Sequence, residues 1–187
     1  GAYTTYTLTI IPANCETFDA IKQTPNYANT EVLMGDMCEW TTSLGGFNVG
    51  DFAAYTTNLV RFRAPYQGSE EQAYIQSGVL SNGIKKLRFN WNVGGNETTT
   101  NWDIRILING REVKRLGTTD LAANVMPEFG TITVENINEP GNFTIRFENH
   151  STVEGEYISA NKARFLIDNI IWENYVETKS LDENVDN

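Results

Sequence analysis

The sequence predicts an all-β fold, an antiparallel β-sandwich, and three observations support this prediction. Apolar and polar side chains alternate in several short segments, Asn-Gly turns lie between such segments, and helix signals are scarce. Strict alternation places one face of a strand against a core and the other in water. Strands joined by short turns without helical spacers are typical of antiparallel sandwiches. At 187 residues, the chain fits a single domain.

The strand pattern occurs in five segments, which are residues 6–10, 87–93, 102–108, 143–147 and 163–172. The last is apolar on both faces, as in a central strand that is covered on two sides. Asn109-Gly110 predicts a two-residue hairpin, because a type I′ turn needs positive φ at both central residues. Trp91 and Trp102 fall on apolar faces and are expected in the core. Short helical turns are expected near residues 18–22 and 119–124, and irregular chain over 25–51 and 65–72.

The charge balance argues against several partner classes. The chain has 24 acidic and 14 basic residues, for a net charge of -10, and it contains no basic run. Nucleic acid and anionic lipid surfaces repel such a chain. No segment approaches the ~20 apolar residues of a spanning helix. We expect a lead-in strand over 1–13, the sandwich domain over 14–176, and an acidic, flexible tail over 177–187.

Catalytic constellations are sparse, so we predict no catalytic residues. The single histidine, His150, follows a predicted strand and is expected in a surface loop, and one histidine excludes a multi-histidine zinc site. Glycoside hydrolysis needs only two carboxylates at the right separation. The acid pairs that could supply them are Glu70 with Glu71, Asp36 with Glu39, and Glu154 with Glu156. Each pair is more often a set of solvated charges.

Two further features leave alternatives open. Asp168 interrupts the apolar last strand, where a bare carboxylate is costly to bury. Either backbone N–H groups or a hard cation such as calcium would satisfy it. Cys15 and Cys38 form either one disulfide or two buried thiols, and a bridge would stabilise the fold by ~3 kcal/mol in the chain-entropy model.

Aromatic and polar side chains supply the candidate binding residues. A flat exposed ring can cover the C–H face of a sugar while polar side chains bind its hydroxyls; the alternative is that each ring closes an end of the core. The aromatic candidates in loops or at strand ends are Trp40, Tyr55, Tyr157 and Trp172. The candidates on polar strand faces, which could equally be the solvated side of a sheet, are Arg88, Asn90, Arg105 and Arg146.

Six motifs, taken in their order along the chain, resemble those of a known group of domains. They are residues 15–19 (CETFD), 38–40 (CEW), 77–91, 108–113, 141–149 and 165–172. Over residues 14–175 the chain resembles jelly-roll domains of the MAM and cleaved-adhesin type. It is also similar to carbohydrate-binding-module-like (galactose-binding-like) accessory domains of secreted or surface proteins of Bacteroidetes. The resemblance implies a jelly-roll sandwich and a Cys15–Cys38 bridge. It also implies a structural calcium between Glu16 or Asp19 and Asp168.

These observations lead to three hypotheses. The first is a non-catalytic carbohydrate-binding-like module of an exported bacterial protein, located in the periplasm, at the cell surface or outside the cell, with a glycan or a surface protein as partner. The second is an adhesion domain that docks onto protein, which predicts an exposed apolar patch. The third is a glycoside hydrolase with two facing acids in a groove.

Overall fold

The computed structural model describes residues 14–21, 31–48, 59–65, 72–93, 100–121, 129–153 and 163–177. Its elements in chain order are β1 (Asn14–Glu16), β2 (Glu31–Met34), β3 (Glu39–Ser43), β4 (Gly45–Asn48), β5 (Leu59–Arg63), β6 (Ala73–Ser77), β7 (Lys86–Val93), β8 (Thr100–Asn101), β9 (Asp103–Ile108), β10 (Arg111–Gly117), α1 (Thr118–Leu121), β11 (Gly130–Val134), β12 (Ile145–Asn149), β13 (Thr152–Val153) and β14 (Arg164–Glu173).

Two antiparallel sheets make a jelly-roll β-sandwich, as the sequence predicts. Sheet A has the strand order β11-β7-β14-β5-β4, and β1 pairs with β14 beside this path. Sheet B has the order β10-β9-β12-β6-β3-β2, and β13 pairs with β8 in a small separate ladder. Among the described strands, β2 and β10 are therefore the two edges of sheet B.

The core lies between the two sheets, where their inward side chains meet. Phe89 of sheet A contacts Phe147 of sheet B edge to face, with ring centroids 5.0 Å apart. Trp91 and Trp102 are both buried, which confirms their predicted place in the core. β14 lies between β7 and β5, so the predicted central strand is confirmed as well. Most of its length is buried on both faces.

The predicted hairpin joins β9 to β10. Asn109 and Gly110 have φ of 51° and 77°, and Arg111 pairs with Ile108 directly across the turn. Helix α1 forms at the start of the segment 119–124, where a short helical turn is predicted. Near residues 18–22 the described chain forms only one tight turn, closed by a 3.1 Å bond from the Ile21 N–H to the Phe18 carbonyl.

The expectation of irregular chain over residues 25–51 is wrong for its described part. This segment contributes β2, β3 and β4, each only four or five residues long. Strands this short carry too few alternations to stand out in the sequence, and it is pairing with neighbouring strands that stabilises them. The strand predicted at residues 6–10 lies outside the described residues.

Candidate functional site

The four polar candidates lie on opposite sides of the sandwich. In β7, Leu87, Phe89 and Trp91 are buried, so Arg88 and Asn90 occupy the outer face of sheet A. The same alternation places Arg105 of β9 and Arg146 of β12 on the outer face of sheet B, because the residues beside them in each strand are buried. The four side chains therefore cannot form one site.

On sheet B, both predicted arginines are engaged with neighbouring side chains. Arg105 Nη2 lies 3.1 Å from Asp103 Oδ2, and Arg115 Nε lies 2.8 Å from Asp103 Oδ1. Arg146 Nε lies 2.7 Å from Glu148 Oε1, and its guanidinium covers the Tyr74 ring at 3.7 Å. A ligand on this face would have to displace these partners before binding either arginine.

The pKa values of the two acids reflect this pairing. Burial raises the pKa of Asp103, but the hydrogen bonds from Arg105 and Arg115 outweigh it, so the pKa lies below the ordinary value. Burial also raises the pKa of Glu148, but the hydrogen bonds from His150 and Arg146 outweigh it, so this pKa lies below its ordinary value as well. His150 Nε2 lies 2.8 Å from Glu148 Oε2, so the histidine belongs to this network. Both acids are paired with bases.

The outer face of sheet A carries a groove of about 300 Å³. Strand register sets its geometry, because directly paired residues on one face lie side by side. Three rows of side chains cross this face. The first row contains Glu135, Lys86 and Glu173. The second contains Thr133, Arg88, Ile171 and Cys15, and the third contains Thr131, Asn90 and Asp168. The lining residues are Lys86, Arg88, Thr133, Glu135, Ile171 and Glu173. We call this feature the Arg88 groove.

Arg88 differs from the arginines of sheet B in having its donors available. Lys86 Nζ lies 3.0 Å from Glu135 Oε1 and 3.7 Å from Glu173 Oε1, so one ammonium engages both carboxylates of the first row. Among the described residues, no carboxylate lies within ion-pair distance of Arg88. Asn90 Oδ1 accepts a 3.2 Å bond from the Thr131 hydroxyl, which directs the amide N–H₂ of Asn90 to other acceptors.

The lining of the Arg88 groove is balanced in charge. Its two bases and two acids sum to zero formal charge, and Ile171 adds an apolar patch beside Arg88. Guanidinium and ammonium groups only donate hydrogen bonds, whereas carboxylates only accept them. A hydroxyl group does both, so a polyhydroxylated ligand without net charge matches this set of groups.

Two aromatic candidates are core residues, which corrects the expectation of exposed rings. Trp40 is 0% exposed and contacts Phe18 edge to face, with centroids 5.4 Å apart. Trp172 is 2% exposed and contacts Phe143 at 6.4 Å. Trp40 faces inward because it lies in β3 rather than in a loop, and Trp172 because it is on the inward register of β14. Tyr55 and Tyr157 lie outside the described residues.

Glu16 is buried, and N–H groups surround its carboxylate. Oε1 accepts bonds from the backbone N–H of Phe18 (2.9 Å) and Asp36 (2.8 Å). Oε2 accepts from the backbone N–H of Met37 (3.0 Å) and from the indole Nε1 of Trp40 (2.9 Å). A cation at either oxygen would face the positive ends of these dipoles, so Glu16 does not fit the role of a calcium ligand.

The other expected calcium ligands are not brought to Glu16. Asp168 lies opposite Asn90 on the outer face of sheet A, whereas Glu16 points inward from β1. Asp168 accepts bonds from the backbone N–H and side-chain amide of Asn169, at 2.7 and 2.9 Å. Asp19 is exposed. The described part of the chain holds no cluster of three metal-ligating side chains. Calcium binding by this chain stays a prediction.

The two cysteines are free thiols in the structure, so the expected bridge is absent. Cys15 pairs with Ile171 and shares its outward face, whereas the next residue, Glu16, points into the core. Cys38 packs against the core from the turn between β2 and β3. Burial raises the pKa of Cys38 to about 11 and, together with the charges of Asp168 and Glu16, raises that of Cys15.

Of the candidate acid pairs, the described residues include only Asp36 with Glu39. Asp36 accepts bonds from the Thr17 hydroxyl and from the backbone N–H of Thr17, Asp19 and Ala20. Its oxygens are thus bound by backbone and hydroxyl donors, which is typical of a structural carboxylate. The pairs at positions 70 and 71 and at 154 and 156 lie outside the described residues.

Sequence reasoning missed most of the Arg88 groove. Lys86 shares the alternation of Arg88 and Asn90, so the strand pattern of β7 could have placed it on the same face. Thr133, Glu135, Ile171 and Glu173 reach the groove through the pairing of β11 and β14 with β7. Nothing in the local sequence signals that pairing.

Two solved structures illustrate what this chain is similar to. The K1 cleaved adhesin domain of Lys-gingipain from Porphyromonas gingivalis W83 matches 88% of this chain and 99% of its own length, with 13% identity and a TM-score of 0.51. A CBM35 from Paenibacillus barcinonensis matches 78% of this chain and 98% of its own length, with 17% identity and a TM-score of 0.47.

An enzyme matches over a smaller share of its length. The chain aligns, over 63% of its residues, with 21% of a glycoside hydrolase family 43 arabinoxylan arabinofuranohydrolase from Bacillus subtilis, with 14% identity and a TM-score of 0.42. No protein-family model matches the sequence, and no curated protein matches it either. In the described residues, no helix is both long and apolar enough to cross a bilayer. The match to the cleaved adhesin domain confirms the jelly-roll fold that the sequence resemblance implies.

Proposed function

We propose that this chain is a non-catalytic carbohydrate-binding module of an exported protein, and that it binds an uncharged glycan in the Arg88 groove. The observation that carries the proposal is the guanidinium of Arg88, which forms no ion pair with a described residue and lies in a groove whose lining has no net formal charge. The export part of the proposal rests on the sequence resemblance to accessory domains of secreted and surface proteins.

The chemistry of the groove suits a sugar. Arg88 and Asn90 supply donors, Glu135 and Glu173 supply acceptors, and Ile171 can contact the C–H face of a ring. The volume of about 300 Å³ lies at the small end of ligand sites, which suits one or two sugar units. The lining residues include no aromatic ring. We therefore expect weak binding, with a Kd of roughly 0.1–1 mM, equivalent to about 4–5.5 kcal/mol.

Catalysis has weaker support in the same groove. Glu135 and Glu173 are the acids that a hydrolase would use, but both contact the ammonium of Lys86. That ammonium lies where a hydrolase would need a water or a glycosidic oxygen between its two carboxylates.

Affinity electrophoresis and calorimetry with neutral plant and microbial polysaccharides test the proposal. We expect Arg88→Ala to weaken binding at least tenfold, because hydrogen bonds from a charged donor contribute about 1.5–3 kcal/mol. Lys114→Ala is the matched control, since it removes the same charge from an exposed position on sheet B. Wild-type protein that binds no polysaccharide at millimolar concentration contradicts the proposal. Equal binding by Arg88→Ala and wild type removes the groove as the site.

A further inference from the structure

The edge strand β2 is exposed and apolar. Val32 and Met34 are 62% and 61% exposed on the outer face of sheet B, and Met37 follows them in the turn to β3. Four of the five large hydrophobic residues exposed in the described part of the chain lie at this corner, the fourth being Val79. Val79 follows Gly78, whose N–H bonds to the carbonyl of Glu39 in β3.

The backbone of β2 also faces outward at these two positions. The Gly35 N–H donates to the Cys38 carbonyl, which makes residues 35 and 38 a hydrogen-bonded pair. Hydrogen-bonded and non-hydrogen-bonded pairs alternate along an antiparallel ladder. Leu33 therefore bonds to Trp40, whereas the N–H and C=O groups of Val32 and Met34 point away from β3. Among the described strands, only β3 pairs with β2.

The opposite edge strand of sheet B has protective features that β2 itself lacks. β10 has a bulge between Glu112 and Lys114, and Lys114 is exposed on it. Bulges and edge lysines are devices that prevent another strand from adding to a sheet. The ladder between β2 and β3 has no register shift, and β2 has no lysine or proline.

The described residues that surround β2 include acids but no lysine or arginine. Residues 14–21, 31–45 and 72–80, which form this corner, contain five acids and no lysine or arginine. Glu16 is buried, whereas Asp19, Asp36 and Glu39 are exposed. Pairing β2 with β2 of a second copy would bring six exposed acids together with no base among these described residues, and like charges across an interface are unfavourable.

We propose that β2 is a docking edge for an extended segment of another polypeptide, one with alternating apolar residues and with basic residues at its ends. The segment adds to sheet B as a seventh strand. Its backbone bonds to Val32 and Met34, its apolar side chains cover the same two residues, and its basic residues face the acidic corner. This inference does not depend on glycan binding.

The test uses a short synthetic peptide of alternating valine and threonine with lysines at both ends. Calorimetry measures its affinity, and amide hydrogen exchange by NMR measures where it binds. We expect the Val32 and Met34 amides to exchange at least tenfold more slowly with the peptide, and the Leu33 amide to change little. The same peptide N-methylated at alternate residues should bind at least tenfold more weakly, because it lacks the donors of one edge.

Variants separate strand addition from charge attraction. Val32→Pro removes an outward N–H, which an edge strand tolerates, and should weaken binding at least tenfold. Val32→Lys keeps the N–H but replaces an apolar side chain by a positive charge, and should weaken binding at least fivefold. Val176→Lys, at an exposed site in another part of the chain, and Arg88→Ala should bind like wild type.

Three results would overturn the proposal. The first is equal binding of the peptide by wild type and by folded Val32→Pro and Val32→Lys variants. The second is equal affinity for the methylated and unmethylated peptides. The third is slow exchange of the Val32 and Met34 amides in the protein alone, which means that the edge is already paired within the chain.

Discussion

The Glu16 carboxylate provides the sharpest test of the structure, because it is 0% exposed and accepts four hydrogen bonds. Three of its donors are backbone N–H groups from the two turns beside it, and the fourth is the indole of Trp40. The side chain thus joins β1 of sheet A to the turn between β2 and β3. The perturbation we choose is Glu16→Gln, which keeps the shape of the side chain.

The magnitude follows from the number of bonds lost. One carboxylate oxygen becomes an N–H₂ group, which cannot accept from the two donors that face it. Hydrogen bonds to charged groups contribute about 1.5–3 kcal/mol each, so the variant should lose about 3–6 kcal/mol of unfolding free energy. For a domain of this size, that corresponds to a fall in Tm of roughly 6–24 °C.

Urea unfolding followed by tryptophan fluorescence measures the free energy, and calorimetry measures the Tm. Glu39→Gln is the matched control, because Glu39 is exposed at the same corner of the fold, and we expect it to lie within about 0.5 kcal/mol of wild type. A Glu16→Gln variant within about 1 kcal/mol of wild type would refute the reasoning, since it would mean that the four donors do not converge on this carboxylate.

Four other predictions follow from the same structure. Burial opposes the low pKa of Asp36, but the Thr17 hydroxyl and backbone N–H groups outweigh it. The stabilisation is therefore present above the unfolded pKa of about 3.9 and is lost as pH falls through the lower folded value. The free energy of unfolding of Asp36→Asn should consequently depend less on pH below about 5 than that of the wild type. Gly83→Ala should lower the free energy of unfolding, measured with urea, more than Gly110→Ala does. Both glycines have positive φ, but only at Gly83 would the new Cβ lie 2.5 Å from a carbonyl oxygen. A thiol reagent at pH 8 should label Cys15 and Cys38 slowly in the folded protein, since burial holds each pKa above the ordinary value. In denaturant the reagent should label both cysteines, and absence of labelling there would establish the bridge. EDTA should change the Tm by less than about 1 °C, because N–H groups already satisfy the buried glutamate, and a clear fall reversed by calcium would show a metal site.

The local sequence pattern was sufficient to predict a strand and its core face wherever the strand was long and half-buried. In β7, alternation identified the strand, its core face and the outward position of Arg88 and Asn90. Alternation did not lead to the correct prediction for Trp40, because the five residues of β3 form a short pattern inside a stretch that resembles a loop. The alternation of Trp40 and Thr42 with Glu39 and Thr41 was the available signal, and it predicts an inward ring.

Partners across strands could not be read from the sequence in the same way. Glu16 was singled out as a metal ligand because an acid near the first motif fits that chemistry. The backbone N–H groups that satisfy it come from a turn about twenty residues away, and the sequence does not show where backbone donors point. The same limit applies to Cys15, whose outward direction depends on its pairing with Ile171.

The contrast between the two outer faces explains why Arg88, rather than Arg105 or Arg146, is the residue to test. On sheet B, Asp103 and Glu148 each lie two positions from an arginine of the same strand and on the same face, so Asp103 engages Arg105 and Glu148 engages Arg146. On sheet A the acids Glu135 and Glu173 lie one row from Arg88, directly beside Lys86. Lys86 engages both carboxylates, so the guanidinium of Arg88, with five donors in a fixed plane, has no acidic partner among the described residues. The groove lining is neutral because Arg88 balances the second carboxylate. The backbone at Arg88 is fixed by pairing of β7 with β11 and β14, and its guanidinium can donate hydrogen bonds to an incoming ligand without first giving up an ion pair with a described residue.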